Sequence, residues 1–110
     1  MLFRSAVKQL SLESDFVIVI GSKTSSNSNR LKELAEKCGT ASCLIDNPDD
    51  LDLSLLENAH SVGITAGASA PENIVQDLIL FLQEKGYESV REISRNEENI
   101  TFKLPKELAN

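Results

Sequence analysis

Residues 17–30 read VIVIGSKTSSNSNR: four apolar residues, a glycine, then eight residues that are small, polar or cationic before Arg30. The run at 16–20 that ends here is apolar and β-branched without polar alternation, which predicts a strand covered on both faces. Beyond the polar stretch, apolar residues recur at Leu31, Leu34, Ala35 and Cys38. That is the i, i+3, i+4, i+7 spacing of an amphipathic helix over 29–38. Gly39 supplies its left-handed stop, and Gly21 is expected to make the turn out of the strand. Strand, polar loop and helix in this order set the terms for the rest of the chain.

Working outward, 41–46 predicts a second strand closed by the turn residues DNPDD, and 51–58 a brief helix with its charges outward. A third strand is expected at 61–65, broken by AGASAP. From Pro71, the residues Ile74, Val75, Leu78, Ile79, Phe81 and Leu82 form a stripe wide enough for a helix pressed on a sheet, ended by Gly86. Residues 90–93 and 100–104 predict two further strands, the second ended by Pro105. Ahead of all of these, 6–13 carries a short helical pattern with Ala6, Val7 and Leu10 on one side. Alternation of this kind predicts a single α/β domain over 1–110, three layers deep, with a mostly parallel four- to five-stranded sheet flanked by helices. The last two strands leave room for a C-terminal edge hairpin.

Composition bounds the function. The chain has 110 residues, 41% hydrophobic and 25% charged, which are ordinary globular values. Its net charge of −6 argues against a general nucleic-acid binder, because phosphate backbones are held by patches of Lys and Arg. An anion would have to be held by local geometry. No apolar run approaches the roughly 20 residues that span a bilayer, and MLFRSAVKQL lacks the long apolar region and cleavage site of a signal peptide. The cytoplasm, or an organelle interior after processing, is the expected compartment, with neither membrane nor nucleic acid as a partner.

In an open parallel α/β sheet the strand-to-helix loops share the carboxyl edge, and ligands bind in the crevices between them. Two such loops are rich in small polar residues: GSKTSSNSN at 21–29 and TAGASAP at 65–71. If the strands at 16–20 and 61–65 are neighbours, both loops face the same space. A helix N-terminus offers unpaired N–H groups and about half a positive charge, enough to hold a phosphate without a basic patch. The candidate contacts are Ser25, Ser26, Asn27 and Ser69, with Lys23 and Arg30 as local cations. Each loop also has a purely structural reading. Ser26 or Ser28 would cap the first helix, and Ser69 with Glu72 spells a capping box around a first-turn proline. A cap needs one residue, however, and the first loop offers a surplus. Neither G-x-x-x-x-G-K-[ST] nor G-x-G-x-x-G is present.

The stretches VIGSKTSSNSNRLKELA at 19–35, LID at 44–46, VGITAGASAP at 62–71 and EENITFKLPKEL at 97–108 together resemble the C-terminal part of the 4-hydroxy-3-methylbut-2-enyl diphosphate reductase family. The resemblance covers about Ala6 to Leu108. It implies one of three α/β domains around a 4Fe–4S cluster and the substrate diphosphate. The implied activity is reductive removal of the allylic hydroxyl, giving isopentenyl and dimethylallyl diphosphate in the non-mevalonate isoprenoid route, with ferredoxin or flavodoxin as electron donor. By motif position the family's diphosphate-binding residues fall on Ser25, Ser26, Asn27 and Ser69. The family's cluster cysteine precedes the helix expected at 6–13, where this chain has MLFRS. The other cluster cysteines, the diphosphate-gripping histidines and the proton-relay glutamate belong to N-terminal domains further upstream. The expectation is therefore a truncated chain that holds the allylic diphosphate, carries no catalytic or metal-binding residue, and is inactive alone.

Cys38 and Cys43 read as packing residues: Cys38 completes a helix stripe, Cys43 lies mid-strand, and two thiols are too few for a cluster. His60 reads as a loop residue. The rival from another class is a non-catalytic α/β module that binds a phosphorylated metabolite or docks on a full-length reductase. A third reading, an unrelated enzyme with Ser25 or Ser69 as nucleophile, lacks a G-x-S-x-G elbow and a histidine beyond His60.

Overall fold

The computed structural model describes residues 14–51, 53–56, 59–67, 70–87, 90–95 and 99–105. The helix expected at 6–13 lies outside them. Strand β1 is Phe16–Ile20, helix α1 Ser26–Lys37 and strand β2 Ala41–Ile45. Two short 3-10 turns, Pro48–Asp50 and Leu53–Leu56, replace the brief helix expected at 51–58. Strand β3 is Ser61–Gly67, helix α2 Glu72–Glu84, strand β4 Arg91–Arg95 and strand β5 Asn99–Pro105. Among the described residues, no helix is long and apolar enough to cross a membrane.

The five strands form one sheet in the order β2-β1-β3-β5-β4. β1 pairs in parallel with β2 and with β3, with Ile20 opposite Ile45 on one side and Ala66 on the other. β5 runs antiparallel to β3 and to β4, so the final hairpin inserts its second strand beside β3 and leaves β4 at the edge. The sheet is thus mixed rather than mostly parallel in its ladders, although four of the five strands point the same way. The register shifts between Glu92 and Ser94, an irregularity of the kind that blunts an exposed edge.

Every residue of β1 is buried, as its unbroken apolar run requires. Its alternate residues enter different cores. Val17 and Val19 pack with Leu31, Ala35 and Leu44 under α1. Phe16, Ile18 and Ile20 join Val62, Ile64, Phe102 and Leu104, with Val75, Leu78, Ile79 and Leu82 of α2, in a larger core on the opposite face. One helix on each face gives the expected three layers. Gly39 and Gly86 end the two helices with φ of 84° and 108°, the left-handed region a Cβ disfavours. Buried Tyr87, just past the second stop, donates its hydroxyl to Ala59 O at 2.9 Å and so ties the end of α2 to the connection before β3. Burial raises its phenol pKa, helped by the charge of Asp15. The Asp15 carboxylate accepts from the N–H groups of His60, at 2.7 Å, and Ser61, which anchors the same connection from the other side.

Candidate functional site

Because Ile20 and Ala66 are parallel neighbours, the chain leaves β1 and β3 at the same sheet edge. The first residue beyond β1 is Gly21, whose N–H continues the ladder to Ile45 O at 2.9 Å. It makes no left-handed turn, since among the described residues positive φ occurs only at Gly39 and Gly86. Gly21 is needed for closeness instead: a Cβ there would lie 2.0 Å from Ser28 Oγ and 2.9 Å from Ser28 Cβ. Ser28, 3% exposed, is pressed against that bare backbone and brings the first turn of α1 down onto the strand end.

The loop between them is built from its own polar groups. The hydroxyls of Ser22 and Thr24 lie 2.7 Å apart, Thr24 N–H donates to Ser22 Oγ at 3.2 Å, and Ser25 N–H to Ser22 O at 3.0 Å. Ser25 is the N-cap of α1, its Oγ accepting the N–H of Ser28 at 3.3 Å. The cap therefore falls on Ser25 rather than on Ser26 or Ser28, and the helix begins at Ser26 rather than at 29. Asn29 Nδ2 donates to the carbonyls of Lys23, at 2.8 Å, and Ser25, at 2.9 Å. Most of the surplus of hydroxyls and amides that suggested a ligand is thus spent on shaping the loop. Ser22 and Thr24 are exposed but bonded to each other, whereas Ser26 and Asn27 are exposed at first-turn positions whose N–H groups have no partner within a helix. Ser25, half-buried, accepts one bond and keeps its own proton to donate.

A Cβ on Gly67 would lie 3.3 Å from Asn27 Nδ2, so the end of β3 and the first turn of α1 do close on one space. Past Gly67 the backbone turns, Ala70 N–H donating to Gly67 O at 3.0 Å. Ser69 lies outside the described residues. The expected capping box with Glu72 involves Ser69 and so lies outside them too; Pro71 occupies the cap position of α2 and Glu72 the first helical one. The helices also differ in charge. The first turn of α1 holds no acidic residue, whereas that of α2 holds Glu72. A carboxylate in the first turn offsets the positive helix end, so of the two described helices only α1 presents that end uncompensated. Lys23 and Arg30 flank it, both exposed.

An open groove of about 480 Å³ lies elsewhere, between α2 and the turn at Pro48–Asp50, lined by Ile74, Leu80 and Phe81 with Asp49, Asp77 and Glu84. Three carboxylates make it a poor place for an anion. The cysteines do not form a metal centre: both are free, and among the described residues no group of three or more His, Cys, Asp and Glu could hold a metal ion. Burial pushes the Cys43 thiol up to about 11, with Lys32 pulling it partly back, so it is a protonated packing group at neutral pH. The residues described here do not fit a 4Fe–4S cluster. His60 is exposed and meets its surroundings through its backbone. Sequence reasoning missed the shaping roles of Ser28, Asn29 and Gly67. The signal available for Asn29 was its place four residues after Ser25, within reach of that residue's carbonyl.

The chain is similar to known proteins over most of its length. The chain is 59% identical over 105 residues to the 4-hydroxy-3-methylbut-2-enyl diphosphate reductase of Saccharophagus degradans, covering 96% of this chain and 34% of that protein. It is 52% identical, with the same coverage, to the enzyme of that name from Alcanivorax borkumensis. The chain therefore spans about a third of the length of the curated relatives it matches. Among solved structures, the E-1-hydroxy-2-methyl-but-2-enyl-4-diphosphate reductase of Plasmodium falciparum superposes with a TM-score of 0.70 at 29% identity, over 73% of this chain and 25% of that one. A structure of (E)-4-hydroxy-3-methyl-but-2-enyl diphosphate reductase, described as the terminal enzyme of the non-mevalonate pathway, gives 0.69 at 32% identity, over 74% of this chain and 29% of that one. A family model described as LytB protein matches residues 4–83, the span that holds β1, the loop, α1 and β3. On that match and those identities, the chain belongs to the LytB protein family.

Proposed function

We propose that this chain supplies one wall of the diphosphate site of a 4-hydroxy-3-methylbut-2-enyl diphosphate reductase. The observation that carries the proposal is the first turn of α1: free of acidic residues, fixed against β1 through Gly21, with Ser26 and Asn27 exposed and Asn27 beside the end of β3. Ser25, Ser26 and Asn27 donate to the phosphate oxygens from hydroxyl, amide and backbone groups, and Ser69 is assigned the same role by its motif position alone. Binding of this kind holds the substrate's charged tail and leaves its allylic end to be presented elsewhere.

The full activity in this reading is reduction of the allylic diphosphate to isopentenyl and dimethylallyl diphosphate in the non-mevalonate route. In the whole enzyme a 4Fe–4S cluster would supply the electrons, received from ferredoxin or flavodoxin in the cytoplasm. The residues described here hold and orient; the cluster ligands and the proton donor come from the N-terminal domains. Titration of the chain with inorganic pyrophosphate, followed by amide NMR, tests the reading. Shifts concentrated at 22–29 and 66–72 are expected. None at millimolar pyrophosphate would overturn it.

A further inference from the structure

We infer that Asn29 is a positioning residue of this cradle, setting the direction of the Ser26 and Asn27 N–H groups without touching the anion. The inference rests on the diphosphate reading above. One side-chain amide reaches back along the chain to two carbonyls, Lys23 O at 2.8 Å and Ser25 O at 2.9 Å. The backbone N–H of Asn29 donates to the same Ser25 O at 3.1 Å, so that oxygen receives two bonds from one residue.

The electrostatic consequence is specific. A carbonyl oxygen carries partial negative charge, and in a loop of small residues it is free to rotate toward the cradle and repel an anion. Asn29 draws two of them toward itself. Donation to both carbonyls uses both amide protons, which identifies the nitrogen and leaves Oδ1 out of the contact. Because a peptide unit is planar, fixing the Lys23 and Ser25 carbonyls also fixes the N–H groups of Thr24 and Ser26, which point the opposite way. Ser26 N–H is one of the proposed anion donors. Asn29 thus acts through the peptide that carries that donor, and Asn27 follows as the next residue of the same turn.

Three variants of the chain test this with pyrophosphate as the probe. Asn29→Ala removes both bonds and is expected to weaken binding on the order of tenfold through lost preorganisation. Asn29→Ser keeps a hydroxyl able to reach the carbonyl four residues back but not Lys23 O, and is expected to fall in between. Gly39→Ala strains the other end of the same helix, at a φ of 84° with open space around it, and is expected to leave affinity unchanged. Heteronuclear relaxation of the free chain supplies the structural readout. In Asn29→Ala the amides at 22–27 become mobile on the ps–ns scale while those at 31–37 stay ordered. Equal affinity loss in Asn29→Ala and Gly39→Ala, or none in either, would overturn the positioning role while leaving the diphosphate reading standing. Absence of binding by the unsubstituted chain would overturn both. If Asn29→Ala fails to fold, Asn29→Ser decides: affinity equal to the parent refutes the role, and a partial loss with a loosened loop supports it.

Discussion

Gly21 is held in place by Ser28. With the Ser28 hydroxyl 2.0 Å from where a Cβ would sit, Gly21→Ala must push the first turn of α1 off the strand. Overpacking of this sort costs about 1–3 kcal/mol. Chemical denaturation should record that loss, and pyrophosphate affinity should fall with it. Combining Gly21→Ala with Ser28→Gly removes the opposing atoms, so the double variant should recover part of the loss; strictly additive effects would contradict the contact. A second residue carries the opposite expectation. Thr101 is fully buried on β5 and its hydroxyl has no hydrogen-bond partner among the described residues. A buried hydroxyl without a partner is a net cost, so Thr101→Val should raise stability by about 1 kcal/mol. A lower denaturation midpoint in the variant would mean that the hydroxyl is paired after all.

At the scale of elements, the apolar pattern was enough for both described helices and for all five strands, most plainly in β1, whose residues divide between two buried faces. Val17 and Val19 serve one core, and Phe16, Ile18 and Ile20 the other. Two things were not legible. The insertion of β5 between β3 and β4 depends on which edge the final hairpin meets, and a strand's own pattern does not encode its neighbour. The division of labour in the polar loop was hidden too, because a serine that caps, one that packs on glycine and one that faces solvent are the same letter. Ser25, Ser28 and Ser26 are those three cases. β2 adds a prediction of its own. Cys43 is raised from its ordinary 9.0 to about 11 by burial in this strand. The folded thiol keeps its proton where the unfolded one has lost it, so its contribution to stability is whole below pH 9 and is lost as pH rises through about 11. Denaturation midpoints for the parent chain and Cys43→Ala should converge or cross in that window. Parallel pH profiles there would count against the shift.

For the molecule as a whole, charge makes the sharpest demand. The chain carries a net −6, and its proposed ligand is an anion. Two sources of attraction would answer differently to salt. Long-range attraction to a basic patch is screened at a Debye length of about 8 Å in physiological salt, and counterion release makes such binding fall steeply as salt rises. A cradle of N–H groups and hydroxyls on a helix end acts at hydrogen-bond distance and is screened far less. Here the distant charges are mostly carboxylates, so added salt also screens a repulsion. Pyrophosphate affinity is therefore expected to depend only weakly on ionic strength, with Lys23 and Arg30 contributing a shallow negative slope. Titrations across a series of salt concentrations, repeated for Lys23→Ala, measure it. A steep slope that Lys23→Ala flattens would transfer the binding from the backbone of α1 to its flanking cations, and the geometry around Ser26 and Asn27 would then explain the helix start but not the ligand.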